Sequence, residues 1–190
     1  MSISAVILAA GKSIRMGQPK MLLPWGDTTV LGKVIETIYS AGIEDITLVT
    51  NSEIAPHIIP LGHITRNMIN DGGEMLTSIQ LGLQAQKPSA EATLICLGDQ
   101  PQVEERSVRS VCEIFRENKS SIVVPSYQMR RGHPWLIARE LWDEVLQMCA
   151  PESMRDFLNS HKDNIFYMEL DTPSILLDLD TPADYLKYKP

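Results

Sequence analysis

With 190 residues, 44% of them hydrophobic, the chain can build one sizeable core, and a single domain over residues 1–190 is the expectation. A formal net charge of −7 argues against a general nucleic-acid binder, so any phosphate site must be a local basic patch in an acidic protein. Cys96, Cys112 and Cys149 are widely spaced with no Cys-x-x-Cys, which argues against a disulfide framework or a zinc site and points to a reducing cytoplasm, each thiol being read as a small core residue.

The amino-terminal stretch carries no basic-then-apolar leader pattern, and Ser2 to Ala10 is too short to span a membrane. Ile3 to Leu8 reads as a buried strand. Leu31, Val34, Ile35 and Ile38 repeat at helical spacing, with Gly42 closing that helix, and Asp45 to Thr50 is a β-branched strand. A short helix is expected over Asn51 to Leu61, ended by Pro60, and a weak strand over Ile64 to Ile69. The Asp71-Gly72-Gly73 turn opens a helix with Met75, Leu76, Ile79 and Leu83 inward. Ala92 to Leu97 is continuously apolar, as a central strand of a parallel sheet would be. A helix with Val108, Val111, Cys112 and Phe115 on one face follows, then a strand at Ile122 to Val124 and an extended segment from Pro134 to Ala138. Two helices, around Trp142 and over Pro151 to Asn159, precede strands at Ile165 to Leu170 and Ile175 to Leu179. Thr181-Pro182 starts a terminal helix with proline in its first position. Strands alternating with helices predict a three-layer α/β/α sandwich, mostly parallel, with no linker or repeat.

Chemistry concentrates where the first strand ends. Gly11-Lys12-Ser13-Ile14-Arg15-Met16-Gly17-Gln18-Pro19-Lys20 places three cations in a glycine-containing turn, and exposed backbone N–H groups beside Lys and Arg suit phosphate. A Walker A loop would need glycine at Val6, and the three-glycine dinucleotide fingerprint is absent. Asp99 follows the central strand and precedes Pro101. It reads equally as a magnesium ligand or as a turn aspartate bonding its own backbone. In Asp178-Leu179-Asp180-Thr181-Pro182, strand alternation would set Asp178 and Asp180 on one face, while the plainer reading is a helix cap by Asp180. In such sheets ligands bind beyond the carboxyl ends of the strands, so the first loop, the Asp71 turn and Asp99 are expected in one cleft.

Leu8-Ala9-Ala10-Gly11, with Ser13, Arg15-Met16-Gly17 and Lys20, resembles the signature of nucleotidyltransferases that load a nucleotide onto molybdopterin. The continuation to Met21-Leu22-Leu23-Pro24-Trp25 is more similar to the molybdenum cofactor cytidylyltransferases than to the guanylyl branch, which usually has a second glycine where Ala10 stands. Leu97-Gly98-Asp99-Gln100-Pro101 and the closing Asp-Leu-Asp-Thr-Pro extend the resemblance over nearly the whole chain. It implies a Rossmann-like sheet of the nucleotide-diphospho-sugar transferase type and a cytoplasmic, magnesium-dependent enzyme that joins CTP to molybdopterin and releases pyrophosphate.

By the same resemblance, Arg15, Lys20 and Asp99 are the catalytic set. Leu8, Ala9, Ala10, Gly11, Lys12, Ser13 and Ser78, with Arg15 and Lys20, contact the nucleotide. Asp99 and Asp180 hold the metal, Asp178 being the alternative, and His133 of Arg131-Gly132-His133-Pro134 lies on the pterin side. Many cytidylyl-branch sequences carry Gly-Asp-x-Gly-Ala-Arg near the place where this chain reads Pro151-Glu152-Ser153-Met154-Arg155-Asp156. A recipient molybdoenzyme or its chaperone is a further expected partner, with neither nucleic acid nor membrane. The rival expectations are a GTP-using relative, a transferase with a sugar or alcohol phosphate acceptor, and a non-catalytic cofactor carrier.

Overall fold

A computed structural model of the chain describes residues 1–58, 61–118 and 120–190. Strand β1 (Ile3–Ala9) is buried along its whole length, as an unbroken apolar run between two layers of helices requires. A small hairpin follows, β2 (Pro24–Trp25) and β3 (Thr28–Thr29), whose strands are too short to leave a periodic signal. Helix α1 (Val30–Ser40) starts at Thr29, whose hydroxyl accepts the Gly32 N–H. Then come β4 (Ile46–Thr50), β5 (Arg66–Ile69), α2 (Met75–Gln84), β6 (Ala92–Leu97) and α3 (Glu105–Asn118). The last third holds β7 (Ile122–Tyr127), β8 (Arg130–Arg131), β9 (Trp135–Ala138), α4 (Trp142–Gln147), α5 (Met154–Ser160), β10 (Ile165–Glu169) and α6 (Pro182–Tyr188).

The sheet order is β10-β7-β9-β6-β1-β4-β5, with β8 folded back on β7. Along that path β9 alone runs antiparallel, to β6 on one side and β7 on the other, while the remaining pairs are parallel. Alternation in β1 sends Ala5, Ile7 and Ala9 into the core beneath α1 and α3 and sends Val6 and Leu8 into the core beneath α2, α4 and α5. This is the expected three-layer α/β/α sandwich, with β6 in the middle of the sheet. Gly82 lets α2 approach β1 closely, since a Cβ there would stand 2.4 Å from Val6 Cγ1. The amino-terminal end of the same helix forms one wall of the cleft described below.

Several sequence expectations need correction. Ile175 to Leu179 is not a strand: Thr172 caps a 3-10 turn at Pro173–Leu176, and the chain then crosses the carboxyl ends of the strands instead of joining the sheet. Among the described residues of Asn51 to Leu61 the expected α-helix is absent and a 3-10 turn, Ala55–His57, is found, because the Asn51 side chain accepts the Glu53 and Ile54 N–H groups and offers the backbone a competing turn. Pro60, expected to end it, lies outside the described residues. Met75 is 51% exposed rather than inward. Cys149 is exposed, whereas Cys96 and Cys112 are core residues.

Candidate active site

The parallel strands β1, β4, β5 and β6 deliver four chain segments to one end of the sheet, beginning at Ala10, Asn51, Asn70 and Gly98. Between them lies a cleft of about 250 Å³, walled by Leu8, Ala10, Gly11, Lys20 and Met21 on one side and by Gly73, Met75 and Ser78 on another. Leu97, Asp99, Asp178 and Asp180 close the third side.

The loop after β1 is shaped by its own backbone. Ser13 and Gly17 both sit in the left-handed region, at φ 49° and 68°, so the loop turns sharply twice. The Lys20 N–H donates to Ser13 Oγ at 3.2 Å and ties the turn shut. Met16 pins the loop from below, packed with Leu23, Trp25, Val30 and Leu179. Lys20, only 9% exposed, is thereby aimed across the cleft. Its ammonium donates to Asp99 Oδ2 at 2.5 Å and to Asp180 Oδ1 at 3.4 Å. Arg15, on the exposed rim, donates to the other oxygen of Asp180 at 3.1 Å.

Among the described residues Asp178 forms no ion pair of its own. Its Oδ1 accepts from Gln100 Nε2 at 2.6 Å. Burial raises its pKa, the charges of Asp99 and Asp180 add to that, and the Gln100 bond and the Lys20 charge oppose it. Three carboxylates so close together favour a cation among them. Among the described residues no group of three or more His, Cys, Asp or Glu side chains is arranged as a metal cage. Magnesium does not require one, since it is usually held by one or two carboxylates together with substrate phosphates and water. The donor set therefore fits a magnesium ion that arrives with a phosphate ligand.

The other expected site residues fall into distinct positions. Ala9 is fully buried in the core, leaving only its backbone for a ligand. Ala10 faces the cleft, with its carbonyl accepting from Asn51 Nδ2 at 3.3 Å. Lys12 runs past Gly73, whose φ is +80°. The Ser78 hydroxyl is buried and accepts from Asn70 Nδ2 at 2.8 Å. Asp71 does not reach into the cleft, because it accepts from the Ser52 N–H and hydroxyl, bonds that also lower its pKa. Thr181, not Asp180, caps α6, which leaves the Asp180 carboxylate free for the cations.

His133 stands behind this wall. Its N–H donates to the Ile175 carbonyl at 3.0 Å, and Nδ1 lies 3.3 Å from the Ile95 carbonyl. A carbonyl only accepts, so Nδ1 carries the hydrogen and Nε2 is the acceptor. Burial lowers the His133 pKa to about 4, against the opposing influence of the Ile95 bond and the Asp99 charge, so the ring is neutral near pH 7. Asn51, Asn70 and Gln100 complete the polar framework. Asn51 and Asn70 each follow the last residue of a parallel strand, so the strand-end rule that singled out Asp99, applied to every strand, identifies them as well.

Residues 5–165 match the model of the MobA-like NTP transferase domain. The chain belongs to this family. It is a MobA-like nucleotidyltransferase, with the mostly parallel mixed sheet of its structural relatives. It is 27% identical to the molybdenum cofactor cytidylyltransferase of Escherichia coli K12, over 99% of this chain and 96% of that protein. The crystal structure of Rv0371c from Mycobacterium tuberculosis H37Rv superposes with a TM-score of 0.86 at 28% identity, covering 98% of this chain and 97% of that one. A second structure of Rv0371c, in complex with manganese, gives a TM-score of 0.81 at 27% identity, covering 98% and 97%. No described helix of this MobA-like chain is long and apolar enough to cross a membrane.

Proposed function

We propose that this MobA-like nucleotidyltransferase moves CMP from CTP to molybdopterin, forming the cytosine dinucleotide of the cofactor and releasing pyrophosphate. The observation that carries the reading is the Asp99–Lys20–Asp180 constellation at the mouth of the cleft. A phosphate-seeking cation and two metal-seeking carboxylates are there held against one another. The similarity to the Escherichia coli enzyme supports molybdopterin as acceptor and CTP as donor. The manganese complex of the mycobacterial relative supports a divalent ion.

In this reading the terminal phosphate of the pterin attacks the α-phosphorus of CTP. A new P–O bond forms on that phosphorus as the bond to the β-phosphate oxygen breaks, and pyrophosphate departs with the electron pair. Lys20 and Arg15 turn from the carboxylates to the triphosphate and stabilise the charge that builds on it, while backbone N–H groups of Gly11 and Ser13 and the Lys12 side chain cradle it. Asp99 and Asp180 would hold magnesium, with Asp178 behind them, and the ion would supply Lewis-acid polarisation of the phosphate. Leu8, Ala9 and Ala10 line the nucleotide side, and Ser78 faces the base or ribose. Neutral His133 lies toward the pterin. The reaction belongs in the cytoplasm, with delivery to a recipient molybdoenzyme or its chaperone.

The deciding experiment is pyrophosphate release with CTP, GTP and ATP, with magnesium, with and without molybdopterin. Release with CTP that requires the pterin supports the proposal. Equal turnover with GTP transfers the chain to the guanylyl reading, and tight pterin binding without any turnover makes it a carrier.

A further inference from the structure

Three loops that carry the site meet at one side chain. Gln100, 3% exposed, follows Asp99 directly. Its Nε2 donates to Asp178 Oδ1 at 2.6 Å and to the Ile175 carbonyl at 3.4 Å. That same carbonyl accepts the His133 N–H at 3.0 Å, and the Leu179 N–H donates to the Asp99 carbonyl at 3.1 Å. Gly132 completes the junction, because a Cβ there would meet the Ile175 carbonyl oxygen at 2.6 Å.

The amide's orientation follows from its neighbours. Carboxylate and carbonyl oxygens only accept, so the nitrogen must face both of them. Gln100 Oε1 is then buried with no hydrogen-bond partner among the described residues. An apolar side chain of similar size would avoid that unsatisfied oxygen. What an apolar residue lacks is the donor that holds Asp178.

Resting on the nucleotidyl-transfer reading, we infer that Gln100 is a positioning residue: through its bond to Asp178 it sets the 175–180 segment, and so Asp180, against Asp99 for divalent-cation binding. The segment has no sheet partner to fix it, since Pro173–Leu176 is a 3-10 turn and α6 begins only at Pro182. Beside the packing of Leu179 with Met16, Leu23, Trp25 and Val30 and the Lys20 and Arg15 bonds to Asp180, its placement across β6 rests on the backbone bond at Leu179, the junction at Ile175 and the Gln100 amide.

The test is Mn²⁺ binding to nucleotide-free protein, read from the free-ion electron paramagnetic resonance signal. Gln100→Met keeps the volume and removes the donor. Gln100→Asn keeps the amide but withdraws it by one methylene, and serves if the methionine variant does not fold. Each is expected to weaken Mn²⁺ binding ten- to a hundredfold, the range for groups that orient metal ligands. Metal-free CTP binding should change less than about twofold for each. A purely packing role would instead lower the melting temperature without a selective loss of metal.

Adding Gln100→Met to Asp178→Ala should cost nothing more, because both changes remove the same restraint. Unchanged Mn²⁺ affinity in both single variants, or a fully additive double variant, overturns the inference while leaving the transferase reading intact. Should nucleotide-free wild-type protein bind no Mn²⁺, the same variants are titrated with CTP bound, and absence of Mn²⁺ binding there as well overturns both.

Discussion

The Lys20 ammonium and the Asp99 carboxylate meet at 2.5 Å, with side chains only 11% and 16% exposed. The group proposed to bind phosphate is here paired with the group proposed to bind metal. Nucleotide and divalent cation would each have to break that pair alone, whereas together they replace it with Lys20–phosphate and Asp99–metal contacts. Lys20→Ala is therefore expected to move two measurements in opposite directions. Turnover should fall a hundred- to a thousandfold, equivalent to about 3–4 kcal/mol for one lost charge-stabilising donor in a water-poor site. Nucleotide-free Mn²⁺ binding should tighten. Lys12→Ala removes the same charge from a residue that pairs with neither carboxylate, and should do neither to a comparable degree. Steady-state kinetics beside Mn²⁺ titration checks this, and equal small effects for both lysines would mean that the loop's cations are merely solvated.

The two carboxylates proposed to hold the metal should not be equivalent. Asp99 is nearly buried at the end of the central strand, while the Asp180 side chain is 42% exposed at the rim. Asp99→Asn keeps the shape but removes the charge facing Lys20, so magnesium-dependent turnover should drop about a hundredfold or more while the protein remains folded. Asp180→Asn should be milder, since an amide oxygen still ligates. Turnover measured beside thermal melts separates loss of ligation from loss of fold. A folded Asp99→Asn variant with wild-type turnover would sink the metal assignment.

Nucleotide choice is expected to depend on Ala10. Ala10 lines the cleft, and its carbonyl is tied to Asn51, which limits how far the loop yields to a larger base. Ala10→Gly should raise kcat/KM for GTP relative to CTP by about tenfold, in line with the discrimination that a single methyl group in a pocket supplies. An unchanged CTP-to-GTP ratio would place base selection elsewhere, Ser78 and Asn70 being the next residues to vary.

His133 makes stability depend on pH. Its pKa in the fold is about 4, below the unfolded value of about 6.5, so the unfolded chain binds more protons in between. The sign follows: stability is fully present above about pH 6.5 and is lost as pH falls through that window toward 4. The contribution is on the order of 3 kcal/mol by linkage. Urea unfolding of the wild type from pH 7 to pH 4 should show this acid-side loss, and His133→Asn should flatten that part of the profile. Carboxylates held low by hydrogen bonds, such as Asp71 and Asp156, lose their contribution at lower pH.

The residues that announce themselves in the linear chain are those whose role is local. An unbroken apolar run makes β1 a buried strand wherever it sits. Helical periodicity marks α1 and α3, and Thr181-Pro182 starts α6 because cap and first-turn geometry involve only neighbours in sequence. The cationic loop is legible for the same reason, being a composition of glycines and charges within a few residues. What no local pattern contains is the pairing between distant segments. β9 runs antiparallel between β6 and β7 because a short hairpin reverses the chain at Gln128 and Met129, both of positive φ, which returns it between strands already placed. Ile175 to Leu179 has the largely apolar composition of a strand. It becomes a crossing segment only because Ile175, Asp178 and Leu179 find hydrogen-bond partners at His133, Gln100 and Asp99. The meeting of Lys20 with Asp99, 79 positions away, likewise depends on two adjacent parallel strands ending side by side. Periodicity and composition decided the layers and the chemistry available; the sheet order decided which groups face one another, because only the folded backbone brings distant strand ends within hydrogen-bonding range.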